Sequence, residues 1–303
     1  MLDFPIKTVN LADPEYPALL RQIHDPPKTL YYRGSLPAIR LFYIAMVGSR
    51  KISGYGQQSV DYLMSGLKGL PVCIVSGLAR GADAQAHQAA LDCGLPTIAV
   101  LGSGLDDASI YPRCNFKLAH IILASGGLLI SAYQPGTPAL QWHFPARNQI
   151  ISGLSKAAVI IEAAQKSGAL LTASCALEQN RDVFAVPGSI FQTGSFGPNN
   201  LIKSGRAKLV SEAADIINEY PELQKIRVRA APLFPDPDLS AEEQKILAQI
   251  SIQPSSFEQI LQGSGLTPDR LGAGLVLLEI KNKIRALGNN CYARNLTNAK
   301  LRG

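Results

Sequence analysis

Apolar runs that break into a glycine- or serine-bearing loop, and then into a helix-like stretch, recur along this chain and constrain its fold more than any other feature. We expect strands near 41–47, 71–76, 96–101, 127–132, 156–162, 182–187 and 207–210. Several runs, such as 157–161, are apolar throughout rather than alternating, which is typical of strands covered on both faces. The pattern predicts an α/β fold with a doubly wound, mostly parallel sheet.

Helical patterns alternate with these strands and help to divide the chain into regions. They are expected near 54–68, 82–94, 113–125, 144–153, 169–180, 198–205 and 211–220. Residues 1–40 are rich in proline, and we interpret them as an irregular, packed N-terminal extension of a main domain over 41–222. Residues 223–238 combine prolines with basic residues, a composition typical of a linker.

The last region, 239–303, contains three short helical patterns followed by a hairpin pattern. The helices are expected near 241–251, 256–263 and 268–281, and the hairpin over 284–293. Thr267 and Pro268 form a suitable N-cap and first-turn pair for the third helix. Three helices and a hairpin predict a small C-terminal winged-helix domain.

Composition limits the function classes only loosely. Charged residues make up 17% of the chain, below the roughly 25% typical of soluble domains. The net charge of +6 lies mostly on residues 1–235 and fits either a nucleic-acid partner or an ordinary alkaline protein.

Metal, disulfide and membrane signals are weak. The five cysteines lack C-x-x-C spacing, and the four histidines lack zinc-ligand spacing. Cys73 lies inside an apolar run, so we interpret it as a buried small hydrophobe. Because the chain shows no signal-peptide pattern and no 18-residue apolar run, we expect a cytoplasmic protein without membrane contact. We also expect no cofactor, since the nucleotide-binding fingerprints considered below are missing.

Two strand-end loops carry the residues expected of an anion site. Gly48, Ser49 and Arg50 follow the first strand, and the loop 76–81 follows the second. Glycine lets backbone approach a phosphate, the next helix N-terminus adds partial positive charge, and arginine adds a bidentate donor. The alternative is a tight turn whose arginine is merely solvated. His87, one helical turn further on, is a proton-transfer group or, more simply, the partner of a nearby polar group.

A third cluster surrounds the start of the helix expected over 144–153. Phe144, Trp142 and His143 form a cluster that could stack on bases, or else Trp142 and Phe144 anchor the core or an interface. Arg147 adds a cation, and Glu162, at the end of the fifth strand, is interpreted as the acid that orients it. Glycine patterns near 54 and 102 lack the third glycine of a dinucleotide fingerprint, and neither a P-loop nor a G-x-S-x-G elbow occurs. Classical NAD binding, P-loop ATP binding and serine nucleophile chemistry are therefore disfavoured.

Ordered motifs along 14–297 resemble those of the DNA-processing protein A (DprA, also called Smf) family. They are Val47-Gly48-Ser49-Arg50, Ser76-Gly77-Leu78-Ala79-x-Gly81-x-Asp83, His87, Tyr111-Pro112-x-x-Asn115, Phe144-Pro145-x-Arg147-Asn148, Glu162-Ala163, Ser167-Gly168-Ala169-Leu170, Arg181-Asp182-Val183-Phe184-Ala185-Val186-Pro187-Gly188 and Asn200-Leu201-Ile202. The resemblance implies an extended Rossmann-like domain that dimerises and binds single-stranded DNA without catalysis. It also implies delivery of that strand to the RecA recombinase during natural transformation, and protection of the incoming DNA.

The resemblance assigns positions as well. Arg50 and Arg147 would face DNA phosphates, while the 76–81 loop and the start of the helix near 168 would supply backbone donors. The full expected DNA-binding set is Gly48, Ser49, Arg50, Ser76, Gly77, Ala79, Gly81, Phe144, Arg147, Asn148, Ser167 and Gly168. Two positions depart from the family pattern: Ala132 replaces a usual glutamate, and Gln149 replaces a usual arginine. Losing an acid and a base together suggests one missing ion pair.

Two other functions remain open at this stage. The first is an enzyme similar to nucleotide phosphoribohydrolases, but their Pro-Gly-Gly-x-Gly-Thr loop is replaced here by 164–169, and Glu178 is the only acid further along that helix. The second is a sequence-specific transcription factor that reads DNA with the winged helix. The weak basicity of 236–303, where the third helix carries only Arg270, argues against it.

Overall fold

The computed structural model describes residues 4–36, 41–224, 239–250, 255–281, 283–288 and 290–294. The chain divides into two compact units, Met1–Arg229 and Ala230–Gly303. The predicted linker over 223–238 lies almost entirely outside the described residues. None of the described helices is both long and apolar enough to cross a membrane.

The first unit is built on a nine-stranded sheet in the order β1-β2-β6-β5-β4-β3-β7-β8-β9. The strands are β1 (Lys7–Asn10), β2 (Thr29–Gly34), β3 (Phe42–Val47), β4 (Val72–Ser76), β5 (Thr97–Leu101), β6 (Leu128–Ser131), β7 (Ala157–Ile160), β8 (Asp182–Ala185) and β9 (Lys208–Leu209). In this order, every neighbouring pair between β6 and β9 is parallel. At the other end of the sheet, β1 pairs antiparallel with β2, and β2 pairs antiparallel with β6. The predicted α/β, mostly parallel fold is confirmed.

Helices cover both faces of this sheet. They are α1 (Ala18–Arg21), α2 (Gly54–Leu67), α3 (Ala82–Asp92), α4 (Phe116–Ala124), α5 (His143–Leu154), α6 (Gly168–Glu178), α7 (Phe196–Lys203) and α8 (Ala213–Ile217). Side chains of α2, α3 and α8 share one apolar cluster, and those of α5 and α6 share another.

Strand β3 shows why the apolar runs predicted a sheet covered on both faces. Ile44 and Met46 belong to the cluster under α2 and α3, while Ala45 and Val47 belong to the cluster under α5 and α6. Successive side chains of a strand point to opposite faces, so a strand buried on both faces must be apolar at every position.

The N-terminal segment differs from its prediction. We expected an irregular extension over 1–40, but residues 7–34 contain β1, α1 and β2. Val9 and Leu30 are a paired, buried couple, and β2 extends the sheet by pairing antiparallel with β6. The prolines between the strands and the shortness of β1 conceal the period-two pattern. The sequence therefore did not predict β1 and β2.

The second unit has its own core. It contains α9 (Ala241–Ala248), β10 (Ser255–Ser256), α10 (Phe257–Ser264), α11 (Pro268–Ile280), β11 (Ile284–Ala286) and β12 (Cys291–Arg294). The hairpin of β11 and β12 is present, and β10 joins it as a third strand. Ile246, Leu271 and Leu278 are fully buried in one cluster. The predicted winged-helix domain is confirmed, and Pro268 begins its third helix as expected.

The order of strands fixes where a ligand site is expected. The chain proceeds outward from β3 through β4 and β5 to β6, then returns through α5 to β7 on the other side of β3. Strands β3 and β7 are parallel neighbours, so the loops that follow them diverge from a common edge. Such a topological switch point leaves a crevice at the carboxyl ends of the strands.

Candidate functional site

A cavity of about 630 Å³ lies at this switch point. It is lined by the loops that follow β3, β4 and β7 and by the first turns of α5 and α6. The structure brings together nine of the twelve predicted site residues in its lining: Gly48, Ser49, Arg50, Ala79, Phe144, Arg147, Asn148, Ser167 and Gly168. The other three, Ser76, Gly77 and Gly81, belong to the loop after β4 and do not line the cavity.

The loops after β3 and β4 interlock, which holds the exposed Arg50 in place. The backbone N–H of Ala82 donates to the carbonyl of Ser49 over 3.0 Å. Gly81 has a φ of +78°, and any Cβ there would collide with the Ser49 carbonyl. Gly48 is equally constrained, because a Cβ would lie 2.8 Å from that of Ala82. Glycine is therefore needed at both positions for the loops to approach each other.

Two arginines approach the Phe144 ring. The guanidinium carbon of Arg50 lies 5.4 Å from the ring centroid, and that of Arg147 lies 5.7 Å from it. The Tyr111 ring is 6.1 Å away and 51% exposed. Phe144 itself is half-buried, so part of its ring faces the cavity. An aromatic ring fixed among cations can take a nucleobase by stacking while the cations take the phosphates.

Arg147 is only 5% exposed and forms part of the floor of the cavity. One terminal nitrogen donates to the carbonyls of Gly77 and Val100, the latter over 2.7 Å. Burial lowers the pKa of the guanidinium, and the Asp83 carboxylate opposes that shift. These contacts join the ends of β4 and β5 to α5. Its predicted contact with a DNA phosphate stays a prediction, but its structural contacts are now clear.

Asp83 is the acid paired electrostatically with Arg147. Its carboxylate accepts from the backbone N–H groups of Gly77 (3.1 Å) and Ala79 (3.4 Å). Burial raises its pKa, while Arg147 and these N–H donors lower it. A Cβ at Gly77 would collide with both charged side chains, so the glycine permits their approach.

His87 lies in the same buried layer. Its Nδ1 is 2.7 Å from the Thr97 hydroxyl, which donates in turn to the carbonyl of Ile74. The Thr97 oxygen therefore accepts from Nδ1–H. Burial lowers the pKa of His87 to about 3, and the charge of Arg147 adds to that shift. Of the two predicted roles, the structure supports the partner of a nearby polar group, because His87 is fully buried and does not line the cavity.

The start of α6 closes one side of the cavity. The Ser167 hydroxyl accepts from the N–H of Ala169 over 3.3 Å and caps the helix. Asn148 links α5 to this turn by donating to the Gly168 carbonyl over 3.3 Å. The unpaired N–H groups of a helix N-terminus favour an anion. The exposed Lys166 also lines the cavity, although it is absent from the predicted set of DNA-binding residues. A cation just before a helix that follows a strand was the available signal.

Glu162 does not orient Arg147, so that prediction was wrong. It is 3% exposed and accepts from Ser53, whose N–H donates to it over 2.9 Å. Ser53 is the N-cap of α2, so the carboxylate stabilises the start of that helix instead. Ser76 is likewise structural, since its hydroxyl donates to the Met46 carbonyl over 2.6 Å.

The remaining aromatic residues of the predicted cluster, Trp142 and His143, keep an edge contact between their rings at 6.0 Å but differ in exposure. Trp142 is 69% exposed, whereas His143 is buried, stacks on Tyr133 at 3.8 Å and contacts the Gly102 carbonyl. The two departures from the family pattern, Ala132 and Gln149, do not line the cavity. Throughout the part of the chain that the structure describes, no group of three or more His, Cys, Asp or Glu side chains is arranged to hold a metal ion.

Comparison with known proteins gives two family matches. The family model described as DNA recombination-mediator protein A matches residues 7–221, and a DprA winged helix domain matches residues 230–290. Protein Smf of Escherichia coli strain K12 is 48% identical over 207 residues, which cover 68% of this chain and 54% of that protein.

Two solved structures resemble the chain. DNA processing protein A of Streptococcus pneumoniae is 42% identical, with a TM-score of 0.67. The match covers 72% of this chain and 75% of the S. pneumoniae chain. DNA processing protein A of Helicobacter pylori is 29% identical, with a TM-score of 0.63. The match covers 71% of this chain and 95% of the H. pylori chain. The latter structure was described for the single-stranded DNA binding mode of that protein.

Proposed function

This chain belongs to the DNA recombination-mediator protein A family, and we propose that it binds single-stranded DNA without catalysing a reaction on it. The observation that carries the proposal is the cavity at the switch point. It places an exposed arginine, an exposed lysine, a helix N-terminus and an accessible aromatic ring around one space. Phosphates suit the first three groups and a base suits the fourth.

The shape of the site favours a single strand over a duplex. Phe144 lies within a cavity, where a base can reach it only when it is unpaired. Backbone N–H groups and stacking contacts do not read base edges, so little sequence preference is expected. Two cations, Arg50 and Lys166, give few phosphate contacts, so the affinity of one site is weak and salt-sensitive. A homodimer formed through the main domain would raise it by avidity.

The proposed role in the cell extends the proposed ligand. The chain would protect an incoming strand in the cytoplasm and load the RecA recombinase onto it during natural transformation. The name of the matching family, a recombination mediator, supports this role. A protein that holds a strand weakly at many sites can hand it to a recombinase, since each contact releases easily.

The arrangement of acids gives no support to a phosphoribohydrolase. Among the described residues that line the cavity, Asp83 is the single acid, and it is 6% exposed and paired electrostatically with Arg147. Glu178, the other acid considered, is the last residue of α6 and does not line the cavity. A general base would have to reach the substrate. Glu178 lies outside the cavity, and the Asp83 carboxylate is already engaged by Arg147 and by the N–H groups of Gly77 and Ala79.

Fluorescence anisotropy tests the proposal directly. A labelled oligothymidylate is titrated with the wild-type chain and with Arg50→Glu, in parallel with a duplex of the same length. We expect binding of the single strand, weaker binding of the duplex and loss of single-strand binding in the variant. Equal affinity of both proteins would contradict the assignment of the site. Recombinase loading is tested separately. RecA is added to strands precoated with a single-strand-binding protein, and the amount of RecA bound is compared with and without this chain.

A further inference from the structure

The loop that follows β8 exposes two large apolar side chains side by side. Ile190 is 84% exposed and Phe191 is 91% exposed, more than any other large apolar residue in the described ranges. Exposed apolar residues are common singly, but an adjacent aliphatic and aromatic pair that is almost wholly in water indicates a contact surface. The proposed site does not use them, since neither lines the cavity.

The loop is held firmly at both of its ends. The Tyr55 hydroxyl donates to the Pro187 carbonyl, and the Asn199 amide both donates to and accepts from the backbone of Gly188, over 2.9 and 3.1 Å. At the other end the N–H of Ala163 donates to the Gly194 carbonyl over 2.7 Å. The exposed pair therefore lies on an ordered loop, which reduces the entropy lost when a ligand binds.

The position of this loop relates it to the cavity. Strands β7 and β8 are parallel neighbours, so the loops after them leave the same edge of the sheet side by side. Ala163 bonds to the loop, and the next residue, Ala164, lines the cavity. Residues 186–202 contain no charged residue, so the loop presents no acid that would repel a phosphate.

A cavity of about 630 Å³ has the size of a small-ligand pocket, so a bound polynucleotide must continue over neighbouring loops. We propose that Phe191, with Ile190 beside it, forms a second base-stacking subsite for a single strand that leaves the cavity over the β8 loop. Stacking on an exposed ring tolerates any base and needs no charge. The subsite extends the proposed function and rests on it.

The test compares strands that fill the cavity with strands that extend beyond it. Oligothymidylates of about 4 to about 20 nucleotides, which bracket common single-strand site sizes, are titrated with wild type, Phe191→Ala and Phe191→Tyr. We expect Phe191→Ala to lower the affinity for long strands about fivefold or more and to leave that for the shortest strands unchanged. Phe191→Tyr keeps an aromatic ring and should retain affinity. Ile121→Ala, at a half-exposed site on α4 outside the cavity lining, is the control.

A direct probe of stacking accompanies the titration. In a chain whose only tryptophan has been removed by Trp142→Phe, Phe191→Trp introduces a single tryptophan on the loop, which can be excited selectively over the ten tyrosines. Long strands should quench its fluorescence because the ring stacks on a base, and the shortest strands should not.

The outcomes separate this inference from the proposed function. If Arg50→Glu abolishes binding while Phe191→Ala binds every strand as wild type does, the second subsite is refuted and the cavity stands. If Phe191→Ala weakens long and short strands equally, Phe191 acts on the cavity and the inference is again refuted. If Arg50→Glu binds every strand as wild type does, the proposed function is refuted, and the second subsite that rests on it is refuted as well. Loss of affinity for long strands alone, with quenching, supports the subsite.

Discussion

The guanidinium carbon of Arg50 lies 5.4 Å from the centre of the Phe144 ring, at the mouth of the cavity. Arg147 approaches the same ring at 5.7 Å, but it is buried, whereas Arg50 is exposed. The two arginines therefore have different physical tasks. The exposed one is available to a ligand, and the buried one holds the strand ends that form the floor.

Arg50→Ala should weaken single-strand binding and change its salt dependence. If Arg50 neutralises one phosphate, the slope of log K against log salt should become about 0.7 less negative, because one counterion fewer is released. The measurement is anisotropy over a series of salt concentrations. Arg206→Ala, which removes an exposed arginine outside the cavity lining, serves as the control and should keep the wild-type slope. An unchanged slope in Arg50→Ala would show that this side chain contacts no phosphate.

Phe144→Leu should lower single-strand affinity by about 1–3 kcal/mol, because base stacking on the ring is lost. Phe144→Tyr keeps the ring and should bind nearly as the wild type does. Since the two variants retain similar bulk, their difference isolates stacking from packing. Calorimetric titration with oligothymidylate measures both. Equal affinity of the leucine and tyrosine variants would mean that no base stacks on this ring.

Arg147→Ala and Asp83→Ala should each destabilise the fold strongly. Removing one member of a buried charged pair leaves the other uncompensated, at about 3–5 kcal/mol. The double variant should lose less than the sum of the single variants, because neither charge is then left alone. Urea unfolding of the four proteins completes the cycle. Simple additivity would show that the two side chains are not coupled.

The pKa of His87, lowered to about 3 by burial, predicts a dependence of stability on pH. In the unfolded chain a histidine takes up its proton near pH 6.5, whereas in the folded chain it does so only near pH 3. Below pH 6.5 the unfolded state therefore binds more protons, and stability falls as the pH is lowered through that window. The loss due to this residue is about 2 kcal/mol between pH 7 and pH 5.

The His87→Gln variant isolates this contribution, because glutamine does not titrate. Its unfolding free energy should depend less on pH than that of the wild type between pH 7 and pH 5, whatever its absolute stability. Denaturant unfolding at several pH values gives both curves. Parallel curves would mean that His87 is protonated equally in the folded and unfolded chains.

The sequence predicted the sheet and the strand-end loops well because both depend on local patterns. Runs buried on both faces are apolar at every position, and the glycines of the β3 and β4 loops mark close backbone approaches. The parallel order of strands then places those loops at one edge. This is why nine of the twelve predicted site residues line a single cavity.

What the sequence could not supply was the pairing of charges across elements. Glu162 and Asp83 both follow strands or begin helices, and nothing in their local patterns shows which one faces Arg147. The structure assigns Asp83 to Arg147 because the start of α3 and the Arg147 side chain of α5 meet at Gly77, just after the end of β4. It assigns Glu162 to Ser53, the N-cap of α2. Burial of Arg147 is equally invisible to local patterns. It depends on carbonyls from two other strands.

A chain truncated after residue 229 should still bind single-stranded DNA, because the cavity and its supporting residues lie in the first unit. The second unit offers little for reading a duplex. On α11 the guanidinium of Arg270 is 3.1 Å from the Glu242 carboxylate, and Val276 and Ile280 are exposed apolar residues. Such a surface favours a protein contact or weak duplex binding over base-specific recognition in the major groove.

Anisotropy with the truncated chain should therefore give an affinity within about threefold of the full chain for a short oligothymidylate, where avidity contributes least. A circular dichroism melt confirms that the truncated chain is folded. Abolished binding by a folded, truncated chain would transfer the DNA site to the winged-helix domain and contradict the assignment made from the cavity.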